Sequence, residues 1–169
     1  LSRLPLDARP ALRLVSNDQN PGYRRSVEHK ARAAGVDLSI RLRVSDLELA
    51  NEYRDAALFV FSARDEPLGL APLEAMAPGL AVLAVGEGGL HETVQSGQTG
   101  VLVPRDAAAF ARALEELLAS PERRHRLGAQ ARAHVEEHWN WPKRAAFLEA
   151  QLASLAASPM RELARSTER

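Results

Sequence analysis

The sequence predicts an α/β domain with a Rossmann-like parallel sheet of about five strands, flanked by helices and finished by a helical C-terminal tail. Two observations predict this class. Short apolar runs alternate with longer amphipathic runs, the pattern of βαβ units. The run Ala57–Phe61 is apolar throughout, as expected for a strand covered on both faces by helices. A chain of 169 residues, 46% of them hydrophobic, can form one such domain with a real core.

The first part of the chain contains three predicted strands with two helices between them. Gly35 ends the first helix, because glycine commonly follows the last helical residue. Ser45 and Glu48 form a capping box that begins the second helix, since the two residues can satisfy each other's free backbone N–H groups. The predicted bounds are, in order, strand 11–15, helix 23–34, strand 37–42, helix 45–56 and strand 57–61.

The second part of the chain continues the alternation and then becomes helical. Pro78 and Gly79 end a helix and precede an apolar strand. Pro121 suits the first turn of a helix, with Ser120 as its N-cap. We expect the domain to cover residues 1–157 and the charged residues 158–169 to form a flexible tail. The predicted bounds are helix 70–77, strand 80–85, helix 90–95, strand 101–103 and helices 107–119, 121–138 and 142–157.

The composition argues against several classes of protein. Twenty-two basic and twenty-two acidic residues give a formal net charge of zero, so the basic excess typical of nucleic-acid-binding proteins is absent and we expect no nucleic-acid partner. There is no cysteine, which excludes disulfides and thiolate metal sites and favours a cytoplasmic location. No apolar run approaches the roughly 18 residues of a transmembrane helix. The first residues lack a methionine and a signal peptide, and we expect them to lie inside a longer gene product.

Ligands of open parallel sheets bind beyond the carboxyl ends of the strands, which directs attention to the loops there. Gly69 and the pair Gly88-Gly89 each precede a predicted helix, whose free N–H groups favour phosphate. Glu66 and Glu74 bracket the first of these turns, so that one carboxylate could accept hydrogen bonds from ribose and the other from a sugar. On spacing alone the ordinary explanations are favoured: Glu66 is a solvated loop residue, and Glu74 is an acid that complements the helix dipole.

Five landmarks in order resemble the C-terminal domain of family 4 glycosyltransferases, retaining enzymes of the GT-B fold. They cover about 100 residues, from Val44 to Lys143. The spacing of two glutamates is a weak pattern by itself, whereas five ordered landmarks make a specific one. The landmarks are Val44-Ser-Asp-x-Glu-Leu49 with Tyr53, Glu66-Pro-Leu-Gly-Leu-x-x-Leu-Glu-Ala-Met-Ala77, Gly88-Gly-Leu-x-Glu92, Gly97-x-Thr-Gly-x-Leu-Val-Pro104, and Arg132 with Trp141.

The resemblance implies a role for each matching residue. Glu74 would hold the ribose hydroxyls of a nucleoside-diphosphate sugar, and Glu66, the implied catalytic residue, would contact the donor sugar. Backbone groups of Leu68, Gly69 and Leu70 would bind sugar and diphosphate, and the loop at Arg43 and Val44 would lie beside the base. The family transfers a hexosyl group to an acceptor hydroxyl with retention, stabilises the leaving diphosphate electrostatically, and needs no metal or other cofactor.

Two parts of the family pattern do not occur in these residues. The strand and loop of the form G-R-x4-K, whose Arg and Lys grip the donor phosphates, is absent, and so is the N-terminal acceptor domain. GT-B catalysis takes place between two domains, so we expect residues 1–169 alone to bind donor weakly or not at all and to have little or no transferase activity. Any peripheral membrane contact would belong to the acceptor domain.

Smaller departures from the family pattern leave other functions open. Ser62-Ala63 replaces a usual Pro-Ser, and His91 replaces a usual proline. A non-catalytic module that binds sugar nucleotides or a partner is therefore the main alternative. Another GT-B enzyme, such as a sugar-nucleotide epimerase, explains the landmarks from Gly88 to Pro104 less well.

Two further patterns have ordinary explanations. His134 and His138 satisfy the zinc-protease pattern H-x-x-E-H, but no third ligand stands nearby, so we predict no metal site. The basic cluster 123–126 is preceded by glutamates at helical spacing, which indicates a charge-balanced solvated face rather than a nucleic-acid patch.

Overall fold

A computed structural model of the chain describes residues 1–17 and 20–157. Within them the predicted α/β class is confirmed, while the predicted tail, 158–169, lies outside the described residues. A 3₁₀ turn, Leu6–Ala8, precedes the first strand. The strands are β1 (Leu12–Ser16), β2 (Leu38–Leu42), β3 (Phe59–Phe61), β4 (Val82–Val85) and β5 (Gly100–Val103). The helices are α1 (Pro21–Ala33), α2 (Asp46–Asp55), α3 (Leu70–Met76), α4 (Leu90–Thr93), α5 (Ala107–Ala119), α6 (Pro121–His138) and α7 (Trp141–Ala157).

The strands are parallel throughout, as predicted, but their hydrogen bonds join them into two groups. β1 pairs with β2 in the register Leu12 to Leu38. β4 lies between β3 and β5, with Val82 opposite both Phe59 and Gly100. The described residues therefore form a two-stranded and a three-stranded parallel sheet where the sequence predicted one sheet of about five strands.

Local side-chain hydrogen bonds decide where the early helices begin. α1 starts at Pro21, two residues before the predicted start, because Oδ1 of Asn20 accepts hydrogen bonds from the N–H groups of Gly22 and Tyr23. α2 begins at the predicted capping box: the Glu48 N–H donates to Oγ of Ser45, and the Ser45 N–H donates to the Glu48 carboxylate at 2.8 Å.

The fully buried side chains lie mainly around β4. All four residues of this strand are buried, and they are covered by buried side chains of α3, α5 and α6 such as Met76, Leu117 and Leu127. In contrast, β1, α1, β2 and α2 contain no fully buried residue. The core therefore sits mainly in the later part of the chain. Because burial of apolar surface is the main source of stability, most of the folding free energy comes from that part.

The chain divides into two compact units, residues 1–133 and the residues from His134 onward. Within the second unit the Trp139 indole N–H donates to Nε2 of His134, and the rings of His134 and His138 are 4.8 Å apart. In the part of the chain that the structure describes, no group of three or more side chains is placed to hold a metal ion. No helix in that part is long and apolar enough to cross a membrane.

Candidate functional site

The loop between β3 and α3 places Glu66 beyond the carboxyl end of β3. Its Oε1 accepts a hydrogen bond of 2.9 Å from the N–H of Gly69, which is buried and precedes α3 with a left-handed φ of 92°. The Glu66 carboxylate thus closes its own loop onto the start of α3. From the sequence we expected the N–H groups of residues 68–70 to face a phosphate. In this structure the Gly69 N–H instead donates a hydrogen bond to the Glu66 carboxylate.

The glycine pair after β4 packs against the backbone of this loop. The Gly89 N–H donates to the Glu66 carbonyl oxygen at 3.0 Å. A Cβ on Gly88 would lie 2.4 Å from that oxygen, and one on Gly89 would lie 2.2 Å from the Pro67 carbonyl oxygen. Side chains at these positions would separate the two loops. The pair therefore has a packing role that explains its glycines without a phosphate.

Glu74 lies on the exposed face of α3, and a tyrosine from α2 fixes one of its oxygens. The Tyr53 hydroxyl donates to Oε2 of Glu74 at 3.2 Å, and the Tyr53 ring packs edge-on against Phe59 at 5.8 Å. Burial raises the pKa of Tyr53, and the charge of Glu74 raises it further. Tyr53 thus remains a protonated donor at neutral pH and orients the Glu74 carboxylate.

The predicted site residues fall into two groups. Val44 and Glu74 line one cavity of about 1240 Å³, together with Tyr53. Glu66, Leu68, Gly69 and Leu70 instead surround the start of α3 and are not among the residues lining this cavity. Arg43 is also outside that lining; it is exposed, has a left-handed φ of 52°, and donates its N–H to the Ser16 carbonyl oxygen at 3.1 Å.

Arg105 is a contact residue that sequence reasoning missed. Its guanidinium donates to both carboxylate oxygens of Glu87, from Nε to Oε1 at 2.8 Å and from Nη2 to Oε2 at 2.6 Å. It also donates to the carbonyl oxygens of Ser62 and Ala63, at 3.1 and 2.6 Å. Arg105 therefore ties together the segments that follow β3, β4 and β5. A lone arginine after a strand carries no pattern that reveals such contacts.

Arg105→Gln should loosen the loops at this end of the sheet. The variant loses the paired hydrogen bonds to Glu87 and leaves two loop carbonyls without their donor. We expect a Tm lowered by a few degrees and faster amide exchange in residues 62–69, measured by thermal denaturation and hydrogen-exchange mass spectrometry. Arg112→Gln on α5 serves as the matched control and should change neither quantity.

The same variant gives a pH test. Hydrogen bonds from Arg105 hold the pKa of Glu87 below its ordinary value of 4.5. The folded state therefore favours the ionised carboxylate, and this contribution is present above the unfolded pKa and lost as pH falls through the lower folded pKa. The Tm difference between wild type and Arg105→Gln should shrink as the pH is lowered from neutral to below that range. A difference that stays constant with pH would contradict this assignment.

Comparisons with known proteins cover most of the chain. Residues 3–134 match the family described as "Glycosyl transferases group 1". The chain is 36% identical over 152 residues to the D-inositol 3-phosphate glycosyltransferase of Streptomyces scabiei, an alignment covering 83% of this chain and 34% of that protein. The chain thus spans about a quarter to a third of the length of these curated relatives.

Solved structures show the same architecture. Sucrose-phosphate synthase from Thermosynechococcus elongatus superposes with a TM-score of 0.77 at 31% identity, covering 87% of this chain and 39% of that one. The Anabaena protein HepE, solved in complex with UDP and glucose, superposes with a TM-score of 0.78, covering 88% of this chain and 43% of that one. At 19% identity the second likeness shows the fold alone.

Proposed function

The chain belongs to the group 1 glycosyl transferases, and from this we propose that it is the donor-binding part of a retaining hexosyltransferase. The donor is a nucleoside-diphosphate sugar and the acceptor is a hydroxyl group on a second molecule, bound by a domain outside these residues. The bond from the anomeric carbon to the diphosphate breaks, the acceptor oxygen bonds to that carbon, and the acceptor proton leaves with the diphosphate. No metal takes part. We also propose a cytoplasmic location, which the absence of cysteine favours.

The observation that carries this proposal is the Glu74 carboxylate at the cavity. Among the described contacts only Oε2 of Glu74 has a partner, the Tyr53 hydroxyl. A carboxylate has about four acceptor positions, so Glu74 can accept hydrogen bonds from two neighbouring ribose hydroxyls while it keeps Tyr53. Val44 lines the same cavity, and with Arg43 it would lie beside the base.

We assign the sugar and diphosphate to the loop of Glu66. Its carboxylate now accepts the Gly69 N–H, the group that a diphosphate would need. A bound phosphate would replace the carboxylate at this N–H and release Glu66 toward a sugar hydroxyl. The N–H groups of Leu68 and Leu70 would join Gly69 in binding the anion. Donor binding would then exchange one hydrogen bond of the loop for those of the ligand.

A calorimetric titration tests the donor role. The chain is titrated at millimolar concentration with UDP, GDP, ADP and their glucose or mannose conjugates, with glucose alone as the control. We expect weak binding of one base over the others and none of glucose, and we expect no sugar transfer to water or to added acceptors. If glucose alone binds as tightly as any of the nucleotides, the donor role is wrong. If the chain alone transfers sugar rapidly, the need for a second domain is wrong.

A further inference from the structure

The connection between α6 and α7 contains a histidine whose ring accepts a hydrogen bond from a tryptophan. We call residues 134–144, which lie in the second unit, the α6–α7 joint. Within it the Trp139 indole N–H donates to Nε2 of His134 at 3.3 Å. An indole nitrogen can only donate, so Nε2 must offer a lone pair. The His134 ring is therefore neutral, with its proton on Nδ1.

The indole of Trp139 lies among groups that carry or can gain positive charge. The guanidinium carbon of Arg144 is 5.2 Å from the centre of the indole ring, a cation–π contact. The rings of His134 and His138 are 4.8 Å apart. A proton on Nε2 of His134 would place one donor against another, and a positive charge against the positive edge of the indole. The hydrogen bond therefore cannot survive protonation of His134.

Four other hydrogen bonds of the joint end on oxygens that do not titrate near neutral pH. Side chains of Asn140, Lys143 and Arg144 donate to the carbonyl oxygens of residues 136, 137 and 138. The Lys143 N–H donates to Oδ1 of Asn140. Carbonyl and amide oxygens keep their lone pairs at any pH at which a histidine titrates. These bonds would keep the start of α7 attached to the end of α6 after the bond to His134 is lost.

The groups around His134 determine the pH at which it gains a proton. Partial burial of the ring lowers the pKa of His134 from its ordinary value of 6.5, the charge of a protonated His138 lowers it further, and the Glu137 carboxylate opposes both. Glu137 also lies 3.7 Å from His138, with which it forms an ion pair once His138 is protonated. The folded pKa of His134 is the lower one, so the stability contributed by the neutral ring is present above 6.5 and is lost as pH falls through the folded pKa.

We propose that the α6–α7 joint is a pH-sensitive element, in which neutral His134 holds the Trp139 indole and protonated His134 releases it. In the released state the indole loses its hydrogen bond and the first turn of α7 becomes more mobile, while the bonds to carbonyl oxygens keep α7 attached. The change is local and reversible. None of these residues is assigned to the donor, so the proposal is independent of the donor function.

The NMR resonance of the Trp139 indole N–H reports on this hydrogen bond directly. The full chain, labelled with ¹⁵N, is titrated from about pH 7.5 to about pH 4.5, a range that spans the ordinary histidine pKa. Trp141 is the internal reference, because it is 86% exposed. As pH falls, we expect the Trp139 resonance to move toward that of Trp141 with a midpoint below 6.5, while Trp141 stays in place. A Trp139 resonance that does not titrate would overturn the proposal.

Two histidine variants assign the titration to one ring. His134→Gln keeps an acceptor oxygen that does not titrate, so the Trp139 resonance should become independent of pH. His138→Gln is the matched control; it removes the opposing charge, and should keep the titration but move its midpoint to higher pH. A titration that persists in His134→Gln, or that vanishes in His138→Gln, would show that His134 is not the group responsible.

Amide exchange at Arg144 tests whether the joint loosens. The Arg144 N–H donates to the Asn140 carbonyl oxygen at 3.2 Å in the first turn of α7. Wild type and His134→Gln are compared at the same pH, so that the intrinsic exchange rate cancels. We expect equal exchange at about pH 7.5, and exchange about fivefold faster in wild type at about pH 4.5, the factor for one lost hydrogen bond. Equal exchange at both pH values would contradict the proposed loosening.

Discussion

Gly128→Ala is expected to lower the free energy of unfolding by about 3 kcal/mol or more, at the upper end for overpacked cores. A Cβ at this position of α6 would lie 1.9 Å from the Gly79 carbonyl oxygen, which belongs to the turn between α3 and β4. The helix cannot move away freely, since its neighbouring residues Leu127 and Ala131 are 1% and 0% exposed. Helix propensity alone predicts the opposite sign, because alanine favours a helix over glycine by about 1 kcal/mol.

Urea denaturation followed by circular dichroism measures this change. Gly22→Ala in α1 is the matched control, since its Cβ would meet only the side-chain oxygen of Asn20 at 3.3 Å. We expect that variant to stay within about 1 kcal/mol of wild type. If Gly128→Ala is as stable as Gly22→Ala, the close contact between α6 and the turn at Gly79 is wrong.

Glu74→Ala is expected to reduce nucleotide affinity by at least about 100-fold, which from a weak starting point means no detectable binding. Each hydrogen bond from a ribose hydroxyl to the charged carboxylate contributes about 1.5–3 kcal/mol, and the variant loses both. Tyr53→Phe should weaken binding much less, because it removes only the hydroxyl that orients the carboxylate. Calorimetric titration with the nucleotide that wild type prefers gives both values.

The fold of the Glu74→Ala variant should be unchanged, because this side chain is exposed. Glu115→Ala, an exposed glutamate on α5, controls for loss of charge and should bind nucleotide like wild type. Unchanged affinity in Glu74→Ala would place the ribose elsewhere. The donor role itself would survive that result if wild type still binds nucleotide.

Much of the fold could be predicted because its signals are local. The capping box at Ser45 and the proline at Pro121 start helices within one residue of where the structure has them. The grouping of strands could not be predicted, since pairing in a parallel sheet joins residues far apart in sequence. The alternation of apolar and amphipathic runs predicts the number of strands and their parallel direction. It does not show that no strand pairs with both β1 and β3 among the described residues.

The candidate site, like the fold, could be predicted from the sequence only in part. Glu66, Gly69 and Glu74 can be recognised in the sequence because they lie in one segment of nine residues around a single predicted turn. The hydrogen bond from Tyr53 to Glu74 joins two helices, and the hydrogen bonds of Arg105 join three loops. These contacts could not be predicted, because they form between segments that come together only when the sheet is assembled. The hydrogen bond from the Gly69 N–H to the Glu66 carboxylate could not be predicted either, because the side chain of a loop glutamate can adopt many conformations.

The late position of the core has a consequence for synthesis. β1 and β2 leave the ribosome before the core does, because the buried Leu127 that completes the core around β4 follows 85 residues after the last residue of β2, Leu42. At about 5–20 residues per second this delay is roughly 4–17 seconds. Throughout that interval the nascent strands have no buried partner and two open edges. The early strands are therefore exposed to the surrounding solution for several seconds before the core that stabilises the domain is complete.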